Sequence, residues 1–481
     1  MVGRVIKYLP MGNRVILLIM VIHLASIHCR EDTPDSDPFV AAWDQAEQIA
    51  ANIELPRIPD RLIKITDLGA LADGQTDCLP AIRRAIDSCF VQGGGTVWIP
   101  AGTYFVQGPI HLKSRINLHL AKNATLRFST NPSHYLPVVR TRWEGVDCYN
   151  YSPLIYAYQQ EDIAITGSGT LDGQADTTNW WPWSNSRQYG WRPGELSQGD
   201  TMSRPRLYDW NTREVPVEER QLGEGAYLRP NFIQPFACTR VLIDSVTIRN
   251  SPMWVIHPCL SEQVVVRHAR IISHGPNSDG CDPESCRNVL IEHCYFDTGD
   301  DCIALKSGRN QDGRRANKPI ENVVIRDCRM KDGHGGVVIG SEVSGGARNI
   351  YAEDCQMDSP NLDRALRIKT NRIRGGTVEN LFFRDIKVGE VREAVIRVNL
   401  HYPIYSDPNQ EYIPIVRNIY LEGVESSRST YGLLIEGYDE AHPVQGIYLK
   451  DCRLNGVTQG NKIEFAEDLQ FKNSLLNGAP L

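Results

Sequence analysis

Apolar and polar residues alternate in short bursts along most of this chain, and the bursts recur. They read RVLIDSVTI from Arg240, QVVVRHARI from Gln263, NVLIEHCYF from Asn288, NVVIRDCRM from Asn322 and NIYAEDCQM from Asn349. NLFFRDIKV from Asn380, NIYLEGVES from Asn418 and GIYLKDCRL from Gly446 continue the series. Their starts are separated by 23, 25, 34, 27, 31, 38 and 28 residues, a drifting period in the range of a solenoid whose coils carry loop insertions. Each burst is rich in β-branched residues and alternates like a strand with one buried face. No helical stretch of comparable regularity lies between bursts to serve as a crossover. The pattern predicts an all-β fold, a parallel β-helix in which each coil lays a strand on the preceding one about 4.8 Å away and inward residues stack into a continuous core.

Cys294, Cys328, Cys355 and Cys452 fall in one column of the repeat, which other coils fill with Val246, Ala269, Ile386 and Val424. The column predicts stacked buried thiols, because a free cysteine behaves as a small apolar residue. A metal cluster needs ligands that converge, and a column spreads them along the axis. Upstream, Ala81, Ile82, Ala85 and Ile86 give an amphipathic helix around Leu79 to Phe90, stopped by Gly93 to Gly95, which would cap the open end of the stack as solenoids require. The β-helix is expected over residues 61–470, interrupted by an insertion at about 143–230. That insertion contains NWWPWSNSRQYGWRP, either a packing cluster or one wall of a carbohydrate site.

Composition narrows the function classes. The chain is 41% hydrophobic and 23% charged, with a net charge of −7; it has no basic field of the kind that holds nucleic acid. An acidic polymer could bind only in a local basic cleft. At the N-terminus Arg4, Lys7 and Arg14 precede the apolar run VILLIMVIHL, too short to span a bilayer comfortably and ordered like a signal peptide over residues 1–28. Export is therefore expected, with a polar segment over 29–60. Cys29 is a candidate lipid-anchor site, although His28 before it is a poor match to the small residue such sites prefer.

The chemistry gathers on consecutive coils. TGDDCIALKS from Thr298 aligns over DGHGGVVIGS from Asp332, so Asp300 and His334, each twelve positions from its repeat start, share a column. The preceding coil reads NSDGCDPES from Asn277 and is expected to place Asp279 over Asp300 and Cys281 over Cys302; the following coil brings ALRIK, with Arg367 and Lys369. Alternation along a strand puts both of those basic side chains on one face. Crowded carboxyls repel, so at least one should hold its proton more tightly than usual, as a general acid must. The loop KSGRNQDGRR adds Lys306, Arg309, Arg314 and Arg315; with Arg372 and Arg374 these are candidates for the basic cleft. Asp, Asn and Gly are common turn residues in any solenoid, but four such motifs in order on successive coils point to a site.

NSD, GDD, GHG and RIK, in this order on a coil ladder, resemble the signature of the polygalacturonases, glycoside hydrolase family 28. The similarity runs from about Lys64 to Leu454 and includes ITDLGALADGQTD and NVLIEHCYFDTGDDCIALKSGRNQDGR. Ser278 stands where many members have Thr. The resemblance implies a single-stranded right-handed parallel β-helix that hydrolyses galacturonide linkages of pectin with inversion. By position, Asp300 would be the general acid, Asp279 and Asp301 would activate water, and His334 would tune Asp300. Arg367 and Lys369 would hold the galacturonate carboxylate, with Asn277, Lys306 and Arg309 as further substrate contacts. Inversion calls for carboxyl groups about 6.5–9.5 Å apart. No metal or cofactor is implied, since carboxylates activate the water. The partner is a pectic polysaccharide or oligogalacturonide, and the GDD segment and Trp-rich insertion look like the exo-acting, end-trimming members. Three rivals remain: a hydrolase of the mixed galacturonate and rhamnose backbone, a calcium-dependent pectate lyase on the same fold, and a non-catalytic carbohydrate-binding solenoid.

Overall fold

The computed structural model describes residues 38–405 and 410–481. The apolar N-terminal run and Cys29 lie outside them. The chain winds as a right-handed parallel β-helix, the hand that parallel crossovers almost always take. Two long sheets run the length of the stack: one of 13 strands from Leu62–Lys64 to Ala466–Lys472, and one of 14 strands beginning at Asp73–Asp77. A third face begins as three strands, Ile110–His111, Ile155–Tyr158 and Ile233–Phe236. It passes through single bridges at Ile256 and Cys281 and continues as six strands from Ile303–Leu305 to Lys462–Glu464.

The recurring bursts form the 13-stranded sheet, where Val241, Val264, Val289, Val323, Ile350, Leu381 and Ile419 pair in one inward column. All are 3% exposed or less. The Asn that opens many bursts has its own reason. Asn288, Asn322, Asn349, Asn380 and Asn418 all adopt left-handed backbone, φ between 55° and 59°, a conformation Asn tolerates because its short side chain bonds locally. Each of the last four donates its amide to the side-chain carbonyl oxygen of the Asn one coil back, at 3.0–3.3 Å, with Asn288 as the first acceptor of the ladder. The cysteine column is as expected: Cys294, Cys328, Cys355 and Cys452 are buried free thiols. Their Sγ atoms lie 3.2–3.4 Å from the carbonyl two residues back.

Two helices dress the stack. Helix α1 (Pro38–Ala51) falls in the stretch expected to be merely polar. It lays Ala42, Trp43 and Ala46 on the outer face of the 13-stranded sheet against Val265, Leu290, Val324 and Tyr351. Helix α2 (Leu79–Val91) is the expected cap, burying Leu79, Ala81, Ile82, Ala85, Ile86 and Cys89. The insertion differs from expectation. A complete coil, strands Ile155–Tyr158, Glu161–Gly167 and Thr170–Asp172, runs through the middle of it and pairs with the coils on both sides. The added material is thus two excursions around one coil. Its strand segments are flanked by polar turns and fell below the regularity of the later bursts, which hid the coil in the sequence.

Candidate active site

The outer surface of the third face carries the charged residues. Register decides which of them meet. Ile303 pairs with Val337 and Val338 with Arg367, so Asp300 lies level with His334, as the sequence indicates, and His334 Nδ1 is 2.9 Å from Asp300 Oδ1. The preceding coil is displaced from expectation. Cys281 bridges to Ile303, not Cys302, and the Gly280 N–H donates to the Asp301 carbonyl at 2.9 Å, so Asp279 sits over Asp301. Loop length is the reason: seven residues separate Ser273 from Cys281 where four separate their partners Thr298 and Ile303, an excess one residue short of what would stack Asp279 on Asp300.

The three aspartates still converge. One carboxyl oxygen of each lies within 4.8 Å of the others. This is closer than the 6.5–9.5 Å expected for an inverting pair, because two of the three are adjacent in sequence and the third is one rung away. Lys369 Nζ is 2.6 Å from Asp301 Oδ2 and Arg367 3.3 Å from Oδ1; the two basic residues expected to meet substrate first neutralise a buried aspartate.

Environment pushes the three carboxyls apart. Burial, then the charge of Asp300, raises the proton affinity of Asp279 against the pull of Lys306. Burial opposes ionisation of Asp300 too, but the charge and hydrogen bond of His334, with Lys369 and Lys306 behind, hold its carboxyl well below the usual range. Lys369 and Arg367 likewise outweigh burial at Asp301. Burial, with crowding second, therefore raises one of the three carboxyls, but the raised group in the open site is Asp279. His334 is pushed up to about 9, first by the charge of Asp300 and then by its hydrogen bond. A raised imidazole contributes its ion pairing fully below about 6.5 and loses it as pH rises through about 9. The imidazole resonance of His334 should accordingly titrate near 9 by NMR, and Asp300→Asn should return it toward about 6.5; an unshifted midpoint in that variant would show the pairing to be inert.

Asp279, Asp300, His334, Arg367 and Lys369 line a cavity of about 270 Å³ with Asn277, Lys306, Arg309 and Glu342, while Asp301 lies fully buried behind them. Asn277 Oδ1 accepts from Arg229 at 2.7 Å, which fixes the loop before Asp279. Lys306, 2% exposed, lies 3.5 Å from an oxygen of each of Asp279, Asp282 and Glu342. Arg309 pairs with Glu342 at 2.8 Å. The other basic residues of that loop do not reach the cavity. Arg314 stacks on Tyr412 at 3.6 Å, Arg315 pairs with Asp312, and Arg374 is buried against Asn310 and Glu342. Arg372 lies 3.6 Å from Glu411.

Sequence reading missed Asp282, Glu342, Trp254, Tyr402, Tyr405, Arg204 and Glu144. All but Asp282 line the cavity. Asp282 and Glu342 follow the NSD and GHG motifs on the same coils, so a correct register would have found them. Glu144 and Arg204 come from the excursions. The hairpin Val139–Trp143 and Val146–Asn150 lies across the outer face of the coils just N-terminal to the aspartates. Arg142 pairs there with Glu284 at 3.2 Å, Glu284 with His257 at 2.9 Å, and Thr141 bonds Gln234. At the hairpin tip the Gly145 carbonyl accepts from Arg309 N–H at 2.9 Å. Gly145 has φ +80°, and a Cβ there would stand 2.7 Å from that nitrogen, so only glycine permits the approach. Helix α3 (Arg204–Thr212) completes the wall, its Arg204 over the ring of Tyr405 at 5.4 Å. Trp180, Trp181 and Trp183 are packing: Trp180 is buried against Tyr135 and Trp183, and Trp181 donates to the Ser251 carbonyl, while Trp191 donates to the Glu195 carbonyl within its own loop. The hairpin and α3 thus wall the cavity, Glu144 and Arg204 both lining it.

Comparison with known proteins agrees with this geometry. A crystal structure described as a hyperthermoactive exopolygalacturonase from Thermotoga maritima superposes with a TM-score of 0.87 at 45% identity, covering 92% of this chain and 97% of that one. An exo-poly-alpha-D-galacturonosidase of Dickeya chrysanthemi is 26% identical over 441 residues, 86% of this chain and 70% of its own. A protein of Vitis vinifera described as a probable polygalacturonase is 27% identical over 413 residues, 83% of this chain and 75% of its own. Residues 62–129 match the group described as rhamnogalacturonase A/epimerase, pectate lyase-like. Residues 219–472, which hold the aspartates, His334, Arg367 and Lys369, match glycosyl hydrolases family 28, and the chain belongs to that family.

Proposed function

We propose that this enzyme hydrolyses α-1,4-galacturonide linkages of pectin from the chain end. The observation that carries the reading is one cavity lined by Asp279 and Asp300, with the buried Asp301 within 4.8 Å of both, among Arg204, Lys306, Arg309, Arg367 and Lys369 and walled on one side by the hairpin. The carboxyls supply acid and base, and the cations suit an acidic sugar. At about 270 Å³ the cavity is at the small end of ligand pockets, about 300–1,000 Å³, room for a chain end more than for a length of polymer.

Asp300 gives its proton to the leaving oxygen while Asp279 and Asp301 hold and deprotonate the attacking water. In the open site the proton of the Asp300–His334 pair rests on the imidazole. A bound sugar excludes water and brings its own carboxylate, both of which favour a neutral carboxyl and move that proton toward Asp300. His334 thus tunes the acid. Arg204, Arg309 and Arg367 are placed to bind the uronate. The hydrophobic N-terminal run supports export, which N-terminal sequencing and mass determination of the mature protein would test together with acylation of Cys29.

Incubation with polygalacturonate, following reducing ends, ultraviolet absorbance and product size, tests the whole reading. Monogalacturonate released from the start without unsaturated product is expected. A rise in absorbance would mean elimination, a spread of oligomers would mean internal cutting, and cleavage of mixed galacturonate and rhamnose chains alone would shift the substrate. The β-anomer as first product is expected for inversion. Nearest-oxygen spacing measures the ends of three side chains rising from one floor, so the product anomer decides; the α-anomer would mean retention.

A further inference from the structure

Asp282 has no role in the steps above, yet it is fully buried beside them. Gly280 and Cys281 lie between it and Asp279 and turn inward. A Cβ on Gly280 would meet the Phe296 ring at 2.5 Å, and Cys281 is a core residue. Asp279 and Asp282 therefore flank them on the outside. Both oxygens of Asp282 and Oδ1 of Asp279 accept no hydrogen bond from any described residue, although all three are buried.

The neighbouring donors are committed elsewhere. Lys306 gives a hydrogen bond to the Gly340 carbonyl at 3.4 Å, sits 4.4 Å over the Trp254 ring, and stands no nearer than 3.5 Å to Asp279, Asp282 or Glu342. His257, one coil back in the column of Asp282, pairs with Glu284 and with the amides of Asn231 and Gln234, each at 2.9 Å. Lys369 and Arg367 serve Asp301, His334 serves Asp300, and Arg309 and Arg374 face Glu342. An ionised carboxylate only accepts hydrogen bonds, and two buried carboxylates side by side cannot both be charged.

We propose that Asp279 and Asp282 hold one proton between them, with Asp282 the positioning residue that keeps it whenever Asp279 acts as base. The proposal rests on the reading of Asp279 as a water-activating base. Lys306 then balances the single remaining charge of the pair. Burial and the charge of its partner raise the proton affinity of Asp282, and burial with the charge of Asp300 does so for Asp279. The neutral Asp282 donates its O–H to the ionised Asp279, which engages Asp279 Oδ1 and one of the two orphaned oxygens of Asp282, with Lys306 3.5 Å from Asp282 Oδ1.

Infrared difference spectroscopy of the substrate-free enzyme at neutral pH tests this directly. A protonated-carboxyl band that shifts in D₂O is expected in the wild type and lost in Asp282→Asn. Asn can donate as the neutral acid does, so that variant should keep kcat/KM within about threefold, whereas Asp282→Ala should lose more than about tenfold and move the acid limb of the pH profile up by about one unit. Absence of the band in the wild type, its persistence in Asp282→Asn, or equal damage from Asn and Ala would each overturn the proposal. The spectroscopic result needs no turnover, so it stands apart from a failure to hydrolyse galacturonan, which would remove the functional reading instead.

Discussion

Asp300→Asn is expected to lower kcat by about 10²- to 10⁴-fold on polygalacturonate with little change in KM, the usual worth of a positioned general acid. That is about 3–5 kcal/mol of barrier. The substitution keeps the shape of the side chain and its contact with His334, 2.9 Å away in the native pair, while removing the proton that the leaving oxygen requires. Binding should survive, because the cations lining the cavity remain. Reducing-end kinetics on wild type and variant, with denaturation midpoints to show equal folding, make the measurement. A folded variant within tenfold of wild type would mean that another group donates the proton. The first candidate would be Asp279, the carboxyl that burial raises.

Lys369→Met should have the largest effect on stability. Lys369 Nζ lies 2.6 Å from Asp301, which is fully buried, and removing one partner of a buried pair leaves an uncompensated charge at a cost of about 3–5 kcal/mol. Arg367 remains at 3.3 Å, so the low end, about 3 kcal/mol, is expected, read as a lower denaturant midpoint at unchanged slope. The double variant Asp301→Asn with Lys369→Met should recover most of that stability, since losing both partners removes the orphan charge, while staying inactive. A double variant no more stable than the single one would show that Lys369 acts by packing and not by charge.

The same pair shows how the site is paid for within the fold. The cations that suit an acidic sugar also make three crowded aspartates tolerable, so substitutions at Arg367 or Lys369 will move stability and activity together, and binding effects should be judged only after stability is known.

The sequence alone determined the ladder. Strict alternation has one structural reading when a residue's face is set by a period of two, so the coils, the buried cysteine column and the Asp300–His334 pairing followed from counting. The Lys369 and Arg367 pair followed from their spacing on one strand. Tertiary structure decided what counting cannot reach. The loop before Cys281 carries three additional residues, one fewer than stacking Asp279 on Asp300 requires, so Asp279 falls on Asp301; loop length between strands is not periodic and counting cannot supply it. The coil at 155–172 and helix α1 were hidden for a related reason, their short apolar stretches becoming distinctive only once neighbouring coils bury them. The wall that the hairpin gives the cavity depends on contacts such as Arg142 with Glu284, 142 positions apart in sequence. The protonation pattern lay furthest from the sequence: four aspartates read alike as letters, and only burial and the cation each one faces make Asp279 and Asp282 hold a proton that Asp300 and Asp301 give up.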